Sequence, residues 1–397
     1  MAHGFIKSRK LLLAPQPGSY WASEMVLNPA IIYDQKASRL HILFRATGPC
    51  SQKSLPGKPD PYPIFLGYGW SDDQGHTWEF DLNKPALAPA LDYDQSEISI
   101  TNLKGQQVTN YANGCIEDPR LFFFEDSCYM TVACRMFPPG PYWINDEPTQ
   151  CCPDWIFEDT QPYGLAASKN VTVNVLFQVD LQALSNQDYK NAFHYVCHLT
   201  DPQYGEDRDV VIFPERINID GKPQILQLHR PWKPSLYQAI KEEIDPSIII
   251  ASASSFEELY RTDKRDVLAM PQFDWEANRI GASGPLVKLD ENEWLLSYHA
   301  KKDAKFGYTQ SFMVIDTSTG LPKVKHRCSG RVLFPVEDWE MPGRFKTPVI
   351  FVTGMLKLDD ELIVSYGAAD ERVGIARLVF DETVKFLKSF DQAGKKI

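Results

Sequence analysis

The stretch "NPAIIYDQKASRLHILFRA", residues 28–46, contains a proline, an apolar run, a polar turn and a second apolar run. Apolar runs bounded by turn residues are typical of buried β-strands, so this stretch predicts a hairpin. The same order recurs at residues 118–136, 213–231, 284–300 and 347–370. In three copies an arginine follows the proline after 16 residues, and these pairs are Pro29 and Arg45, Pro119 and Arg135, and Pro214 and Arg230.

A third apolar segment with small residues follows each hairpin, as in "FLGYGWS" at 65–71. Five repeats of three or four strands predict an all-β protein, a five-bladed β-propeller. We expect residues 1–397 to form one domain, with blade repeats starting near 28, 118, 213, 284 and 347. A large β-sandwich is the alternative, but it would not require the recurring proline register.

The stretch "SDDQGHTW", residues 71–78, predicts a tight turn. Asp73 can accept hydrogen bonds from backbone amides, Gly75 can adopt positive φ, and Trp78 can pack beneath the loop. The spacing resembles the Asp-box turn of outer propeller strands. It therefore informs on fold and assigns no chemistry.

The composition limits the partners and the location. The net charge of −11 and a pI near 5.3 argue against nucleic acid, and no basic stripe is present. No apolar run approaches the roughly 18 to 20 residues that span a bilayer. The N-terminal apolar run is too short for a signal peptide, so we expect a cytoplasmic protein, with the periplasm left open. The eight cysteines lack zinc-site spacing, and we expect reduced thiols and no metal.

Equivalent positions of propeller repeats converge on a central pocket. The ends of the second strands should therefore form a polar ring, and they are Phe44–Arg45, Cys134–Arg135, His229–Arg230, Tyr298–His299 and Tyr366–Asp370. Such a ring suits a hydroxyl-rich or anionic ligand. We assign Tyr298 and His299 to substrate binding and Arg135 to anion binding. The alternative is that the arginines pair with acids to join blades.

The stretch "NGCIEDPRLF", residues 113–122, contains the adjacent carboxylates Glu117 and Asp118. Pro119 restricts the backbone, and Arg120 can pair with a carboxylate and reach substrate. Cleavage of a glycosidic bond needs a carboxylic acid that protonates the leaving oxygen. Taken alone, the motif is equally consistent with a salt-bridged turn.

Four motifs together resemble glycoside hydrolase family 130, which contains β-mannoside phosphorylases and β-1,2-mannosidases. They are "EDPR" at 117–120, "DRDVVIFPERINIDGKPQILQLHRP" at 207–231, "NRIGASGPLVKLDENEWLLSYHA" at 278–300 and "ELIVSYGAADERVGIA" at 361–376. The resemblance implies a five-bladed propeller, inversion at the anomeric centre, and no metal or organic cofactor.

The resemblance also implies residue roles. Asp118 would be the general acid, acting through a hydroxyl of the bound mannose. Asp370 would hold the mannosyl residue, with Arg45 nearby. Arg208 and His229 match positions that hold phosphate in the phosphorylases, although the usual Asn-Lys-Asp reads here as Asp-Arg-Asp at 207–209.

One departure from the family favours water as the nucleophile. The phosphorylases carry further arginines after the "EDPR" motif, whereas this chain has none between Met136 and Asp207. Since a phosphate dianion needs several fixed donors, we predict hydrolysis. An inverting hydrolase needs a base carboxylate roughly 6.5 to 9.5 Å from the acid. Glu215 and Glu206 are the candidates, and a salt bridge is the alternative role of Glu215.

The sequence therefore predicts an inverting glycoside hydrolase acting on short β-mannosides, with an oligosaccharide as its partner. A β-mannoside phosphorylase that uses inorganic phosphate is the alternative, and a non-catalytic carbohydrate-binding propeller is a further one. A sialidase is disfavoured because "FRAT" at 44–47 does not supply its "FRIP" start. We expect residues 136–161 to form a long rim loop that covers substrate or contacts a second subunit. A homo-oligomer is left open.

Overall fold

The computed structural model describes residues 3–48, 64–88, 99–101, 107–109, 115–135, 165–166, 169 and 171–397. Its strands form five antiparallel sheets and one two-stranded ribbon. The five sheets stand in a ring, so the chain is a five-bladed β-propeller, as the sequence predicts. The predicted rim loop at 136–161 lies outside the described residues.

The strands follow the blades in chain order. Strand β1 (Ile6–Leu13) precedes the first blade, which contains β2 (Met25–Asp34), β3 (Arg39–Thr47), β4 (Phe65–Ser71) and β5 (Glu79–Asp81). The ribbon consists of β6 (Ser99–Thr101) and β7 (Gln107–Thr109). The second blade contains β8 (Cys115–Phe124), β9 (Ser127–Arg135), β10 (Val173–Val179) and β11 (Phe193–His198), with helix α1 (Leu181–Ser185) before β11.

The third and fourth blades have five strands each, and the fifth has four when β1 is included. The third contains β12 (Asp207–Ile212), β13 (Ile217–Ile219), β14 (Lys222–Pro231), β15 (Ile248–Ala253) and β16 (Arg265–Ala269). The fourth contains β17 (Arg279–Ala282), β18 (Val287–Lys288), β19 (Glu293–Lys301), β20 (Tyr308–Asp316) and β21 (Lys323–Arg327). The fifth contains β22 (Ile350–Leu358), β23 (Glu361–Ala368) and β24 (Arg372–Val379), and helix α2 (Phe380–Leu387) follows. Short 3₁₀ helices cover Tyr189–Asn191, Pro202–Tyr204, Pro234–Leu236, Phe256–Arg261, Asp274–Glu276 and Asp338–Glu340.

The N-terminal strand completes the last blade. Strand β1 pairs antiparallel with β24, with Ile6 opposite Leu378 and Leu13 opposite Val373. The fifth sheet is therefore built from both ends of the chain, which closes the ring. Within the parts of the chain that the structure describes, no helix is both long enough and apolar enough to cross a membrane.

A β-bulge interrupts the innermost strand of the first three blades. The bulged residues adopt left-handed φ, and they are Asn28 at 45°, Asp118 at 52° and Asp209 at 62°. Asn and Asp tolerate this conformation better than other non-glycine residues. A bulge redirects a side chain, and here it turns a polar group toward one end of the ring.

The proline register fails in the third blade. Pro29 and Pro119 each follow a bulged residue, but in the third blade Val210 takes that place and Pro214 lies beyond the end of β12. The bulge requires a left-handed residue and does not require the proline. The third blade consequently begins at Asp207 rather than near 213, and the fourth begins at Arg279 rather than near 284.

The Asp-box prediction is confirmed as a turn between β4 and β5. The Ser71 hydroxyl donates to Asp73 at 2.8 Å and accepts from the backbone N–H of Gly75 at 2.8 Å. Gly75 has φ of 84°, and the Trp78 indole donates to its carbonyl at 3.0 Å. The stretch has the structural role that the sequence predicts.

Two buried clusters repeat in the fourth and fifth blades. In each, a glutamate from an Asp-Trp-Glu segment accepts a tyrosine hydroxyl on one oxygen and an arginine on the other. The first consists of Glu276, Tyr298 at 2.8 Å and Arg327 at 2.8 Å, and the second of Glu340, Tyr366 at 2.6 Å and Arg9 at 2.9 Å. Each cluster joins the loop that precedes the inner strand of a blade to the outermost strand of the same blade.

Candidate active site

The functional cluster lies at the end of the ring where the second strands of the blades finish. Arg45 lies near the end of β3, and Arg135 is the last residue of β9. Arg230 lies near the end of β14, and Asp370 follows β23. Arg45 donates to Asp118, Arg230 donates to Asp209, and Arg135 donates to Glu206, which directly precedes β12. Asp370 lies close enough to Asp118 and Arg45 for their charges to shift its pKa. Four of the five predicted second-strand ends therefore contribute a charged side chain to this cluster, and the Tyr298–His299 pair does not.

Asp118 is held in a fixed orientation. Its carboxylate accepts from Asn28 Nδ2 at 2.7 Å and from Arg45 Nη1 at 3.1 Å. Arg120 Nη1 donates to the backbone carbonyl of Asp118 at 3.0 Å, which fixes the bulge itself. The residue is 6% exposed, so only a small part of it contacts solvent.

Glu117 lies beside Asp118 but is enclosed by protein. Its Oε2 atom accepts from Arg45 Nη1 at 3.2 Å and from Arg208 Nη1 at 2.8 Å. Burial by itself would raise the pKa of Glu117, but the charges of Arg45 and Arg208 outweigh it and lower the pKa. Glu117 is therefore an ionised counter-ion. The "EDPR" motif draws attention to it, yet no sequence argument assigned it a role.

The pKa of Asp370 is shifted in the opposite direction from that of Glu117. It lies in a turn in which Ala369 and Asp370 both have φ of 55°. Burial raises the pKa of Asp370 to about 6, and the nearby Asp118 carboxylate raises it further while Arg45 lowers it. A protonated carboxyl can donate a hydrogen bond to a sugar oxygen, whereas the ionised form only accepts.

Glu206 is engaged by several donors. Arg208 Nε donates to it at 2.8 Å, the Thr172 backbone N–H at 2.7 Å and Arg135 Nη2 at 3.5 Å. Burial would raise the pKa of Glu206, but Arg208 and Arg135 lower it below the ordinary value. Its oxygens are occupied by fixed donors, which makes it a poor acceptor for a proton from water.

Further cations come from the third and fourth blades. Arg230 Nε donates to Asp209 at 2.5 Å, and Arg279 stacks on Tyr308 with 5.5 Å between the guanidinium carbon and the ring centre. Burial lowers the pKa of Arg279, and the positive charges of Arg230 and Arg208 lower it further.

Lys301 lies within electrostatic range of both Arg279 and Asp370. Burial and Arg279 lower the pKa of Lys301, and Asp370 raises it. Neither Arg279 nor Lys301 is among the site residues predicted from the sequence. The signal was available, because Arg279 belongs to the "NRIGASG" run and Lys301 directly follows "SYHA".

Arg120 and His299 lie beneath the cluster, which corrects their assignment to substrate binding. Arg120 is 2% exposed, and its donors go to the Ser283 carbonyl at 2.6 Å and to Asp209 at 3.3 Å. His299 is fully buried, with Nδ1 3.1 Å from the Ser283 hydroxyl and Nε2 3.2 Å from Asp209. This Asp-His-Ser chain joins the third and fourth blades, and its burial excludes Ser283 as a nucleophile.

Three predicted site residues lie elsewhere. Glu215 is exposed and pairs with Lys288 at 2.6 Å, because it follows the far end of β12. His229 is fully buried, and its Nδ1 atom lies 2.7 Å from Asp207. Successive residues of a strand point to opposite faces, so Arg230 faces the cluster and His229 does not. Tyr298 belongs to the buried cluster around Glu276. The structure does not bring these three to the site.

The cluster has two halves with different chemistry. Asp118, Asp370 and Arg45 form an acid half that suits the hydroxyls of a neutral sugar. The cation half suits an anion, and it contains Arg135, Arg208, Arg230, Arg279 and Lys301. Among the described residues, no group of three or more His, Cys, Asp or Glu side chains is arranged to hold a metal ion.

The chain is similar in sequence to mannoside phosphorylases. Residues 203–389 match the sequence profile of a family described as beta-1,4-mannooligosaccharide phosphorylase. A 1,2-beta-oligomannan phosphorylase from Thermoanaerobacter sp. (strain X514) is 27% identical over 381 residues, which cover 96% of this chain and 98% of that protein.

Solved structures share the fold. A β-1,2-mannobiose phosphorylase from Listeria innocua in complex with β-1,2-mannobiose has a TM-score of 0.63 at 19% identity, covering 95% of this chain and 97% of that chain. A second structure has a TM-score of 0.59 at 14% identity and covers 95% of both chains. It is described with a family of mannoside phosphorylases that contains glycoside hydrolases targeting beta-1,2 mannosidic linkages in Candida mannan. At these identities the likeness supports the fold.

Proposed function

Because the chain belongs to glycoside hydrolase family 130, whose members act on glycosidic bonds, we propose that it is a phosphorylase of β-1,2-linked mannooligosaccharides. Inorganic phosphate is the proposed co-substrate. This changes the preference drawn from the sequence, which favoured water.

The observation that carries the proposal is the position of the cation half. The argument for hydrolysis rested on the absence of arginine between Met136 and Asp207. Apart from Arg135, which lies in the same blade as Asp118, the cations beside the acid half come from later blades, and Arg208 is joined directly to Glu117 at 2.8 Å. Several fixed cations next to a sugar-binding carboxylate supply what a phosphate dianion requires.

The candidate bases for hydrolysis support the same conclusion. Glu215 lies on the surface in an ion pair with Lys288. Glu206 accepts hydrogen bonds from Arg208, Arg135 and the Thr172 backbone. Neither residue is arranged to take a proton from water opposite Asp118. Phosphate needs no such base, because it arrives already ionised.

In the proposed reaction a phosphate oxygen attacks the anomeric carbon from the face opposite the leaving oxygen. The glycosidic C–O bond breaks, a C–O bond to phosphate forms, and Asp118 supplies the proton through a hydroxyl of the mannosyl residue. Inversion of a β-mannoside gives the α-anomer of mannose 1-phosphate. Arg45 and Asp370 orient the mannosyl residue, and Arg208, Arg230, Arg279 and Lys301 hold the phosphate.

The linkage is proposed from a relative that covers nearly the whole chain, a 1,2-beta-oligomannan phosphorylase. The matching sequence profile carries a β-1,4 description. Product analysis on β-1,2-mannobiose and β-1,4-mannobiose, each with and without phosphate, tests both points. We expect mannose 1-phosphate from the β-1,2 substrate when phosphate is present. Free mannose at equal rates with and without phosphate would establish the hydrolase, and binding without turnover would establish a carbohydrate-binding propeller.

A further inference from the structure

Glu117 connects the two halves of the site through a single oxygen. Its Oε2 atom accepts from Arg208 Nη1 at 2.8 Å and from Arg45 Nη1 at 3.2 Å. Arg208 belongs to the cation half and Arg45 to the acid half. The Glu117 side chain is 1% exposed, so this contact is sheltered from solvent and from screening by salt.

The same Arg45 atom also binds the acid. Arg45 Nη1 donates to Glu117 Oε2 at 3.2 Å and to Asp118 Oδ1 at 3.1 Å. The two carboxylates therefore compete for one donor. Arg208 influences that competition, because its own contact with Glu117 is the shorter one.

We propose that Glu117 is a positioning residue that couples the two halves, so that an anion bound at Arg208 strengthens the binding of a mannosyl residue beside Asp118. An anion on Arg208 weakens the hold of that guanidinium on Glu117. Glu117 then attracts Arg45 more strongly, and Asp118 loses part of its donor. The Asp118 carboxyl group, held less tightly by Arg45, is then free to form its hydrogen bond with a sugar hydroxyl.

This inference rests on the proposed function, because it takes phosphate as the anion. Coupling of this kind is reciprocal, so mannose must strengthen phosphate binding by the same factor. The factor can be measured without turnover. Inorganic phosphate is titrated into the full-length protein by calorimetry, with and without saturating mannose.

In the unmodified protein we expect mannose to lower the Kd for phosphate by about fivefold or more. In Glu117→Gln the side chain keeps its size but loses the charge that both arginines share. The factor should then fall close to one. A general structural role for Glu117 would weaken both ligands and leave the factor unchanged.

Glu206→Gln is the matched control, because Glu206 also accepts from Arg208, through Nε at 2.8 Å. It should change the Kd for phosphate and retain the mannose effect. If Glu117→Gln does not fold, Arg208→Lys serves instead, since it keeps a charge in the cation half but loses the guanidinium contact with Glu117. It should also lose the factor.

The outcomes separate this inference from the proposed function. Phosphate binding with a factor of one in the unmodified protein contradicts the coupling and leaves the phosphorylase standing. A factor retained in Glu117→Gln contradicts the role of Glu117. No phosphate binding with or without mannose contradicts both.

Discussion

Arg208 Nη1 lies 2.8 Å from Glu117 Oε2, an ion pair that joins the inner strand of the third blade to that of the second. It places the group proposed to hold phosphate within one residue of the proposed general acid, Asp118. The pair exists because two bulged strands present their charged residues at the same end of the ring. The predictions below follow from this arrangement.

Replacement of the proposed acid tests the chemistry of the acid half. Asp118→Asn keeps the left-handed bulge and the hydrogen bond from Asn28 but cannot supply a proton. We expect kcat to fall by about 10²- to 10⁴-fold, with β-1,2-mannobiose still bound. Steady-state kinetics and calorimetry check this. Activity within a few-fold of the unmodified protein would exclude Asp118 as the acid.

Removal of a cation tests the anion half. Arg279→Met should raise the KM for phosphate about tenfold or more and change the KM for mannobiose little, because the lost charge faces the phosphate. Arg216→Met is the matched control, since Arg216 pairs with Glu125 on an exposed surface. Equal effects on both KM values would place Arg279 outside the phosphate site.

The raised pKa of Asp370 predicts a pH-dependent stability. Burial raises its pKa in the folded state to about 6, above the unfolded value near 4, so the folded state binds the proton more tightly. Its stabilising contribution is complete below the unfolded pKa and is lost as the pH rises through about 6. Asp370→Asn should therefore raise Tm relative to the unmodified protein more at pH 8 than at pH 5. The exposed Asp263→Asn should show no such difference, and a pH-independent Tm change for Asp370→Asn would refute the account.

The hydrogen bond between Tyr298 and Glu276 predicts a loss of stability when the tyrosine hydroxyl is removed. Tyr298→Phe removes the hydroxyl that Glu276 accepts at 2.8 Å, and hydrogen bonds to charged groups contribute about 1.5–3 kcal/mol. We expect the free energy of unfolding to fall by about that amount in urea denaturation, with kcat and KM unchanged. Tyr366→Phe should behave alike, because Glu340 accepts its hydroxyl at 2.6 Å. A selective rise in the KM for the mannoside would instead show that Tyr298 contributes to substrate binding.

The sequence predicts the repeat, and it places Asp118 and Arg45 at the same end of the ring. The alternation of apolar runs and turns sets the blade count, since each hairpin must bury both faces between its neighbours. Asp118 and Arg45 are brought together because both lie at strand ends that the repeat places at one end of the ring.

The cation half is harder to read from the sequence. His229 and Arg230 are adjacent, and strand parity decides which faces the cluster. That parity follows from the pairing of β14 with β12, in which Arg230 lies opposite Arg208. Glu215, a candidate base from the sequence, follows the far end of β12. Arg279 was missed because it lies on the first strand of the fourth blade, whereas the predicted ring contains only the ends of the second strands.

The most direct test of phosphate as the nucleophile is a single reaction of β-1,2-mannobiose with inorganic phosphate in oxygen-18 water, followed by mass spectrometry of the products. The account predicts mannose 1-phosphate without the heavy oxygen at the anomeric carbon, and one unlabelled mannose released per cleavage. Mannose carrying the heavy oxygen, with no mannose 1-phosphate, would show that water attacks and would contradict the account.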